Sequence, residues 1–240
     1  MLLNTKLLYG TKIDATDGGI GQVKDLYFDD VTLAIRYLVV ETGSWLSGRQ
    51  VLLSPHAFRE HVFGRASEVA DTHVLHANLT RKQIEGSPWI ETCRPVSRQY
   101  EEEYFRYYGW PCYWRGGGMF GVTGVPVSVP FAQKILTHHE PGKEGDNHLR
   151  SMQAFSGYTI QATDGKFGSV GGFNIDGRTW MFRELVVATS HWYAGKSILI
   201  LPENINRISY PDSTVFVNLC MEDLRQTTQN DVAQVGAGHR

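Results

Sequence analysis

Histidine and carboxylate side chains that could hold a divalent cation are concentrated in the middle of this 240-residue chain. His138, His139 and His148 lie close together, with Glu140 and Asp146 between them. They lack the i, i+4 spacing that would aim them at one point, and a metal site requires a fixed geometry. The favoured interpretation is a solvated polar linker, with divalent-metal binding as the alternative, so no metal site is predicted.

A glycine pattern precedes these histidines. Gly116, Gly118 and Gly121 spell G-x-G-x-x-G, which binds a pyrophosphate only when a strand comes before it and a helix follows. The next residues, Thr123 to Pro126, cannot open a helix because they include a glycine and a proline. We therefore expect no cofactor.

The cysteines are Cys93, Cys112 and Cys220. Their odd number and the lack of a C-x-x-C pair predict neither a disulfide framework nor a zinc ribbon, and thiols suit a reducing compartment. A nucleophilic cysteine needs a base and an orienting group, which the sequence does not supply. Because no candidate catalytic group recurs in both copies of the repeat described below, we expect the protein not to be an enzyme.

The overall charge is close to neutral. The formal net charge is -2 and the isoelectric point is about 6.5, which does not favour nucleic-acid binding. No run of about 18 apolar residues and no signal peptide are recognisable. We expect a cytoplasmic protein that does not insert into a membrane.

An internal repeat organises the chain. Shifted by 147 positions, Gly10–Pro55 aligns without gaps on Gly157–Pro202 and is identical at 19 of 46 positions. Two copies at this distance indicate a duplicated domain. The polar and tryptophan pairs that recur include Asp17/Asp164, Asp29/Asp176, Thr32/Thr179, Arg36/Arg183 and Trp45/Trp192.

Each copy is patterned as short strands separated by turns. The Asp-Gly pairs at 17–18 and 164–165 indicate hairpins, because such turns need positive φ. Gly21 and Gly168 indicate a bulge or a barrel corner in the next strand. The strand from Leu33 to Glu41 is apolar on both faces near its end, which is typical of a barrel core.

A short helix is expected after the strands of each copy. In the first copy Thr80 and Gln83 form a capping box, and Pro88 ends the helix. In the second copy Cys220 takes the cap position, so the box is predicted to be lost. The predicted fold class is mainly β: two small antiparallel β-barrels, each with a short C-terminal helix, joined by a helix-containing linker. The boundaries are 5–92 for the first barrel, 93–149 for the linker, 150–228 for the second barrel and 229–240 for a disordered tail.

The linker begins with an aromatic helix over residues 97–109, capped by Ser97 and ended by Gly109. One face of it carries Tyr100, Tyr104, Tyr107 and Tyr108, and the aromatic surface continues to Trp110 and Trp114. Such a face must be buried. We favour docking on the chain's own barrel, with a dimer or partner interface as the alternative, because tyrosine and tryptophan are enriched at interfaces.

The recurring arginines and tryptophans are the other candidates for an interaction surface. Arg36 and Arg183 lie in mid-strand, where we favour a stem packed on the barrel and a paired or solvated head over ligand binding. Trp45 and Trp192 precede the fourth strand, where we favour plugging of a barrel end over a role as exposed binding anchors.

Longer segments of both copies resemble a known family. The first copy reads G-G-I-G-Q-V-K-D-L-Y-F-D-D and then I-R-Y-L-V-V-E-T-G-S-W-L-S-G-R-Q-V-L-L-S-P, and the second reads G-Y-T-I-Q-A-T-D-G-K-F-G. These segments resemble the PRC-barrel domain, which is named for the H subunit of the photosynthetic reaction centre, in the tandem arrangement of bacterial proteins. The resemblance implies an assembly or interaction module without a catalytic motif. The second copy departs from the first where residues 171–173 replace residues 24–26.

Three functions follow as expectations. The first is a non-catalytic protein that mediates protein–protein interaction or self-association, with a homodimer as the expected state. The second is a small-molecule sensor with its ligand at a barrel mouth or between the barrels. The third, by family analogy, is an accessory factor of a photosynthetic or electron-transfer complex.

Overall fold

The computed structural model describes residues 2–58, 74–88, 96–112, 148–189 and 198–224. Over these ranges the chain is mainly β, and its strands form two sheets, each built largely from one repeat. Within the described ranges neither sheet pairs its last strand with its first, so neither is a closed barrel there.

The strands follow the duplicated sequence pattern. The first repeat and the residues before it hold β1 (Leu2–Asn4), β2 (Lys12–Ala15), β3 (Gly18–Asp29), β4 (Ala34–Glu41), β5 (Gln50–Leu53) and β6 (Val74–His76). The second holds β7 (Leu149–Ser151), β8 (Thr159–Ala162), β9 (Gly165–Asp176), β10 (Phe182–Ala188), β11 (Ile198–Ile200), β12 (Ile205–Ser209) and β13 (Thr214–Val217). The strand orders are β5-β4-β3-β2-β6 and β11-β10-β9-β8-β13-β12.

The expectation of purely antiparallel sheets is wrong in one respect. In both sheets one pair is parallel: β2 with β6, and β8 with β13. A parallel neighbour requires a crossover of a dozen or more residues, and the chain between β2 and β6, or between β8 and β13, is ample for one. The other described pairs are antiparallel.

Three helices are described in full: α1 (Arg81–Glu85), α2 (Arg98–Tyr108) and α3 (Met152–Phe155). The Thr80–Gln83 capping box of α1 is confirmed. Residues 221–224 are helical too, and here the predicted loss of the box is wrong. The Asp223 carboxylate accepts the Cys220 backbone N–H at 3.0 Å, while the Cys220 sulfur accepts the Asp223 N–H at 3.4 Å, so a thiol and a carboxylate replace the usual hydroxyl and amide.

The recurring aspartates shape turns and caps. Asp29 Oδ1 accepts the backbone N–H groups of Val31 and Thr32 in the β3–β4 turn, and Asp176 does the same between β9 and β10. Asp17 accepts the N–H of Arg81 at 2.7 Å, and Asp164 accepts that of Met221 at 2.9 Å, so each aspartate also ties a hairpin to a helix start.

Glycine is required where neighbouring strands approach closely. The ladder of β2 and β3 shifts register beside Gly21, and that of β8 and β9 shifts beside Gly168, which confirms the predicted bulges. A Cβ at Gly21 would lie 1.9 Å from the carbonyl oxygen of Glu41, and one at Gly168 would lie 2.7 Å from that of Ala188. Because Ala188 is the repeat equivalent of Glu41, both copies use the same close approach.

The two repeats exchange their leading strands. β1, which precedes the first repeat, pairs with β9 of the second through Leu2↔Asp176, and β7 pairs with β3 of the first through Leu149↔Asp29. Each partner pair maps onto the other by the same shift of 147 positions. Each sheet therefore includes the short strand that precedes the other repeat in the sequence. The predicted boundaries at 5–92 and 150–228 do not show this exchange.

A pseudo-twofold axis relates the repeats. It passes near the bridge between Ala34 and Met181, which are equivalent positions. Around it the Ile35 N–H donates to the Trp180 carbonyl, and the Phe182 N–H donates to the Leu33 carbonyl, both at 2.9 Å. One contiguous hydrophobic core runs through both repeats, and the ring of Phe28 contacts those of Phe155, Phe173 and Phe182. The two repeats thus share one hydrophobic core and do not form separate domains with a core each.

Candidate functional site

The aromatic helix α2 packs on the outer face of the first sheet. Ser97 caps it by accepting the Tyr100 N–H, and Gly109 ends it in the left-handed conformation, as predicted. Its fully buried aromatic side chains, Tyr104 and Phe105, lie against Tyr37, Val39 and Leu52. Docking on the chain's own sheet, the favoured expectation, is therefore confirmed.

A buried polar cluster anchors the helix. The Tyr37 hydroxyl donates to Glu101 Oε1 at 2.9 Å, and His148 Nε2 lies 3.0 Å from Glu101 Oε2. The side chains of Glu101 and His148 are 0% and 3% exposed, respectively. The sequence does not reveal Glu101 because nothing in the helix pattern distinguishes it from Glu102 and Glu103, which are less buried. His148 was expected in a solvated linker.

Both ends of the segment between α2 and β7 return to the same hydrophobic cluster. Cys112, at one end, and Leu149, at the other, pack against the group that includes Tyr104 and Leu52. The contact of His148 with Glu101 adds a polar link between these ends. The segment between the repeats therefore starts and finishes at one place on the first sheet.

The Tyr104 hydroxyl joins α2 to the backbone of the edge strand. It accepts the N–H of Ser54 at 3.0 Å and donates to the carbonyl of Leu52 at 3.1 Å. Tyr107 on the same helix is 44% exposed, and its hydroxyl donates to the carbonyl of Gln83. The four tyrosines predicted to share a face are therefore not equally buried.

Removing the two tyrosine hydroxyls should separate their roles. Tyr104→Phe should lower the free energy of unfolding by about 1–3 kcal/mol, because a buried N–H and a buried carbonyl lose their partner. Tyr107→Phe should change it by less than about 0.5 kcal/mol, since water can replace the exposed bond. Urea unfolding measures both, and equal losses would contradict this assignment.

Burial also governs the ionisation of these phenols. Desolvation, with the neighbouring tyrosines, raises the pKa of Tyr100 and Tyr104, and desolvation is the main cause that raises the pKa of Tyr108 to about 12. The neutral phenols contribute stability that is complete below about pH 10, the ordinary tyrosine pKa. It is lost as the pH rises through the higher folded-state values.

Alkaline titration should therefore unfold the protein in a concerted step. Tyrosinate absorbance and the loss of near-ultraviolet circular dichroism should rise together above about pH 10, because deprotonation of the buried phenols is linked to unfolding. Ionisation of all tyrosines at their ordinary pKa with the dichroism intact would contradict the burial of α2.

The structure places the other candidate residues apart. Arg36 is buried, with Nε 3.8 Å from Asp29 Oδ2, and Arg183 is exposed, with Nη2 3.2 Å from Asp176 Oδ2. Each arginine thus faces the recurring turn aspartate of its own repeat, which accords with a paired head. Trp114 and Trp192 lie outside the described residues.

Trp45 and Trp110, the described tryptophans among the candidate residues, are partly buried. The Trp45 indole N–H donates to the carbonyl of Ile20, and the Arg81 guanidinium lies 4.5 Å from the centre of its ring. Trp45 thus covers the end of the first sheet. Trp110 stacks on Tyr108 with ring centres 4.5 Å apart. It extends the docked aromatic surface to the end of α2.

Polar contacts across the exchanged strands differ between the two sides. On one side Arg150 Nε lies 2.8 Å from Asp30 Oδ2, and the Ser151 hydroxyl donates to Asp25 at 2.5 Å. Desolvation raises the pKa of Asp25, although the bonds from Ser151 and from two backbone N–H groups oppose the shift. On the other side the contacts are neutral: Asn4 donates to Asn174, and Thr5 accepts the Phe173 N–H.

An open groove of about 560 Å³ lies on the first sheet beside β2 and β3. The charged side chains lining it are Lys12, Asp14 and Glu41. Neither Arg36 nor Trp45, the recurring residues considered as alternatives for ligand binding, lines it. The equivalent positions in the second repeat are Thr159, Gln161 and Ala188, so the charge belongs to the first repeat alone.

The cysteines, histidines and acidic residues of the described part of the chain are the remaining candidates for catalytic or metal chemistry. Within it, no three side chains among histidine, cysteine, aspartate and glutamate come together as metal ligands. Cys112 and Cys220 are thiols, and Cys220 is engaged in a helix cap. The other candidates, Cys93, His138, His139 and the glycines from Gly116 to Gly121, lie outside the described residues.

Comparison with known proteins gives no family. No family model matches the chain, and no curated protein matches it. Among the described helices, none combines the length and the apolar character needed to cross a membrane.

Proposed function

We propose that the chain is a non-catalytic assembly protein of two PRC-barrel-type modules that binds a protein partner or a second copy of itself. The reciprocal strand exchange carries the proposal, because each sheet takes a strand from outside its own repeat. Strand addition at a sheet edge is a general mode of protein recognition, so the module has an association device built into its fold.

The use of the recurring polar residues supports the same proposal. Asp17, Asp29 and Arg36, like their equivalents in the second repeat, hold turns, helix starts and one another. An active site that belonged to the repeated module would draw on recurring polar groups. Here these groups are occupied in forming the fold.

The exposed end of α2 is the surface that we assign to self-association. Tyr107 is 44% exposed and lies edge-on to Tyr108, which stacks on Trp110. Aromatic side chains of this kind bury large areas at little entropic cost and are frequent anchors of interfaces. A homodimer through this surface is the simplest assembly.

Light scattering after size-exclusion chromatography tests self-association over a range of concentrations. The wild-type chain should elute as a dimer, and Tyr107→Ser should weaken the dimer at least about tenfold because an interface anchor is lost. Leu201→Ser is the matched control, since Leu201 is 46% exposed on the second repeat. A monomer at every concentration that also captures no protein from its host would contradict the proposal.

A second candidate function is favoured by the groove beside β2 and β3. Its volume is in the range of small-molecule sites, and Lys12 with Asp14 and Glu41 offers both signs of charge to a small zwitterion. Amino acids are therefore the probes for a thermal-shift assay. Binding should raise the melting temperature of the wild-type chain but not of Lys12→Met, and no shift with any amino acid would reject a sensor of this class.

A further inference from the structure

The contacts between the repeats are chemically asymmetric although their backbone arrangement is symmetric. Arg150 on β7 faces Asp30 of the first repeat. By the shift of 147 positions, Leu3 on β1 is equivalent to Arg150, and Gly177 of the second repeat is equivalent to Asp30. One of two equivalent places therefore carries a charge pair, and the other carries a leucine beside a glycine.

We propose that the Asp30–Arg150 pair selects pairing of the first repeat with the second over pairing of like repeats from two copies of the chain. Because the axis is nearly twofold, either repeat has the backbone to pair with its own kind. Selection must then come from side chains, and a matched charge pair that mispairing breaks is an effective discriminator. This inference does not depend on any partner of the whole protein.

The two mispaired arrangements can be read from the equivalent positions. If two first repeats paired, Asp30, whose side chain is 4% exposed, would face Leu3 instead of Arg150. If two second repeats paired, Arg150 would face Gly177. Each like pairing places a charged group at the interface opposite a residue that cannot neutralise it, and this is costly.

Tyr210 reinforces the choice from the side of the second repeat. The Arg150 guanidinium lies 4.0 Å from the centre of the Tyr210 ring. Burial and the nearby Asp30 carboxylate raise the pKa of the Tyr210 phenol, which places the phenol beside the same carboxylate. The Asp30 side chain thus lies beside two groups of the second repeat, the Arg150 guanidinium and the Tyr210 phenol.

Asp25 contributes less to the selection. It accepts from the Ser151 hydroxyl and from the Gln153 N–H. In a pair of first repeats the equivalent residues are Asn4 and Lys6, whose side-chain amide and backbone N–H could serve the same carboxylate. Of these two carboxylates, Asp30 therefore makes the more discriminating contact, with Arg150.

The test removes the covalent tether from the folded full-length protein. A protease site inserted after Gly117, within the Gly116–Gly118 run, is cleaved after folding to give a first piece and a second piece. Native mass spectrometry then counts the unlike pair and the two like pairs at equilibrium. We expect the unlike pair to exceed its share under random pairing by at least about tenfold.

Charge variants of the same cleavable chain identify the selecting contact. Asp30→Arg should lower the preference for the unlike pair at least about tenfold, because two arginines then face each other. The double variant Asp30→Arg with Arg150→Asp should restore the preference. Arg178→Asp is the matched control, since Arg178 is exposed on the β9–β10 turn, which is equivalent to the β3–β4 turn that holds Asp30. Arg150→Leu, which copies Leu3, should raise the proportion of paired second pieces without introducing repulsion.

Several outcomes would overturn the inference. Random amounts of the like and unlike pairs in the wild-type sample would show that the interface does not select. Separation into single pieces would show that the tether and not the contacts holds the repeats together. An unchanged preference in Asp30→Arg or Arg150→Leu, or its loss in Arg178→Asp, would show that the selection resides elsewhere.

Discussion

Replacing His148 with leucine should lower the free energy of unfolding by about 3 kcal/mol, because the fully buried Glu101 carboxyl group loses a polar partner. The Glu101 carboxylate is 0% exposed, and the histidine lies 3.0 Å from it. Without the imidazole, the carboxylate stays in the core with less compensation for its desolvation. Urea unfolding at neutral pH measures the loss.

Two variants control this experiment. His76→Leu replaces an exposed histidine on β6 and should change the stability by less than about 0.5 kcal/mol. Glu101→Gln in the His148→Leu background replaces the buried carboxyl group with an amide and should recover part of the loss, since the amide oxygen can still accept the Tyr37 hydroxyl. Equal stability of His148→Leu and His76→Leu would mean that the pair does not anchor α2.

Substituting Gly21 with alanine should cost about 3 kcal/mol of stability, because the new methyl group would overlap a neighbouring backbone. The Cβ would lie 1.9 Å from the Glu41 carbonyl oxygen and 2.9 Å from the Thr42 Cα, so β3 and the end of β4 must separate. A backbone clash cannot be relieved by a change of rotamer. Thermal and urea unfolding both report the loss.

The second repeat provides a graded comparison. Gly168→Ala meets the Ala188 carbonyl oxygen at 2.7 Å and should cost less than Gly21→Ala. Gly19→Ala, on the same strand as Gly21, meets only the Asp14 carboxylate at 3.5 Å and should be nearly neutral. If Gly19→Ala and Gly21→Ala were equally destabilising, general loss of glycine flexibility rather than close strand approach would be responsible.

Local sequence patterns were sufficient for the features that depend on neighbouring residues. The Asp-Gly hairpins, the bulges at Gly21 and Gly168, and the helix between Ser97 and Gly109 are all set by turn chemistry or capping within a few residues. The duplicated pattern extended each assignment from one copy to the other. These features could therefore be predicted without knowledge of the tertiary structure.

Features that depend on distant partners could not be predicted in the same way. β1 consists of three residues, and nothing in Leu2–Asn4 specifies pairing with residues more than 160 positions away. The parallel pairs are similarly set by the crossover. Glu101 is a helix residue like its neighbours until Tyr37 and His148 approach it, so its burial follows from tertiary contacts alone.

The Cys220 cap shows a different limit. The sequence rule recognises serine, threonine, aspartate and asparagine as caps, and it recognises glutamate or glutamine three residues later. The Cys220–Asp223 pair satisfies the same backbone groups with other atoms. The failure lay in the residue list of the rule, whereas the physical requirement that the first N–H groups find acceptors was met.

The exchange of leading strands also fixes the order in which the protein can form during its synthesis. β1 leaves the ribosome before the other strands described here, yet its partner on β9 is complete only when Asp176 has been added. Until β7 appears, the far half of β3 has an open edge on one side, which is a template for unwanted pairing. At about 5–20 residues per second, the first repeat waits several seconds for its last strand. Nascent chains halted shortly before residue 149 should therefore recruit chaperones more strongly than chains halted after the second repeat is complete.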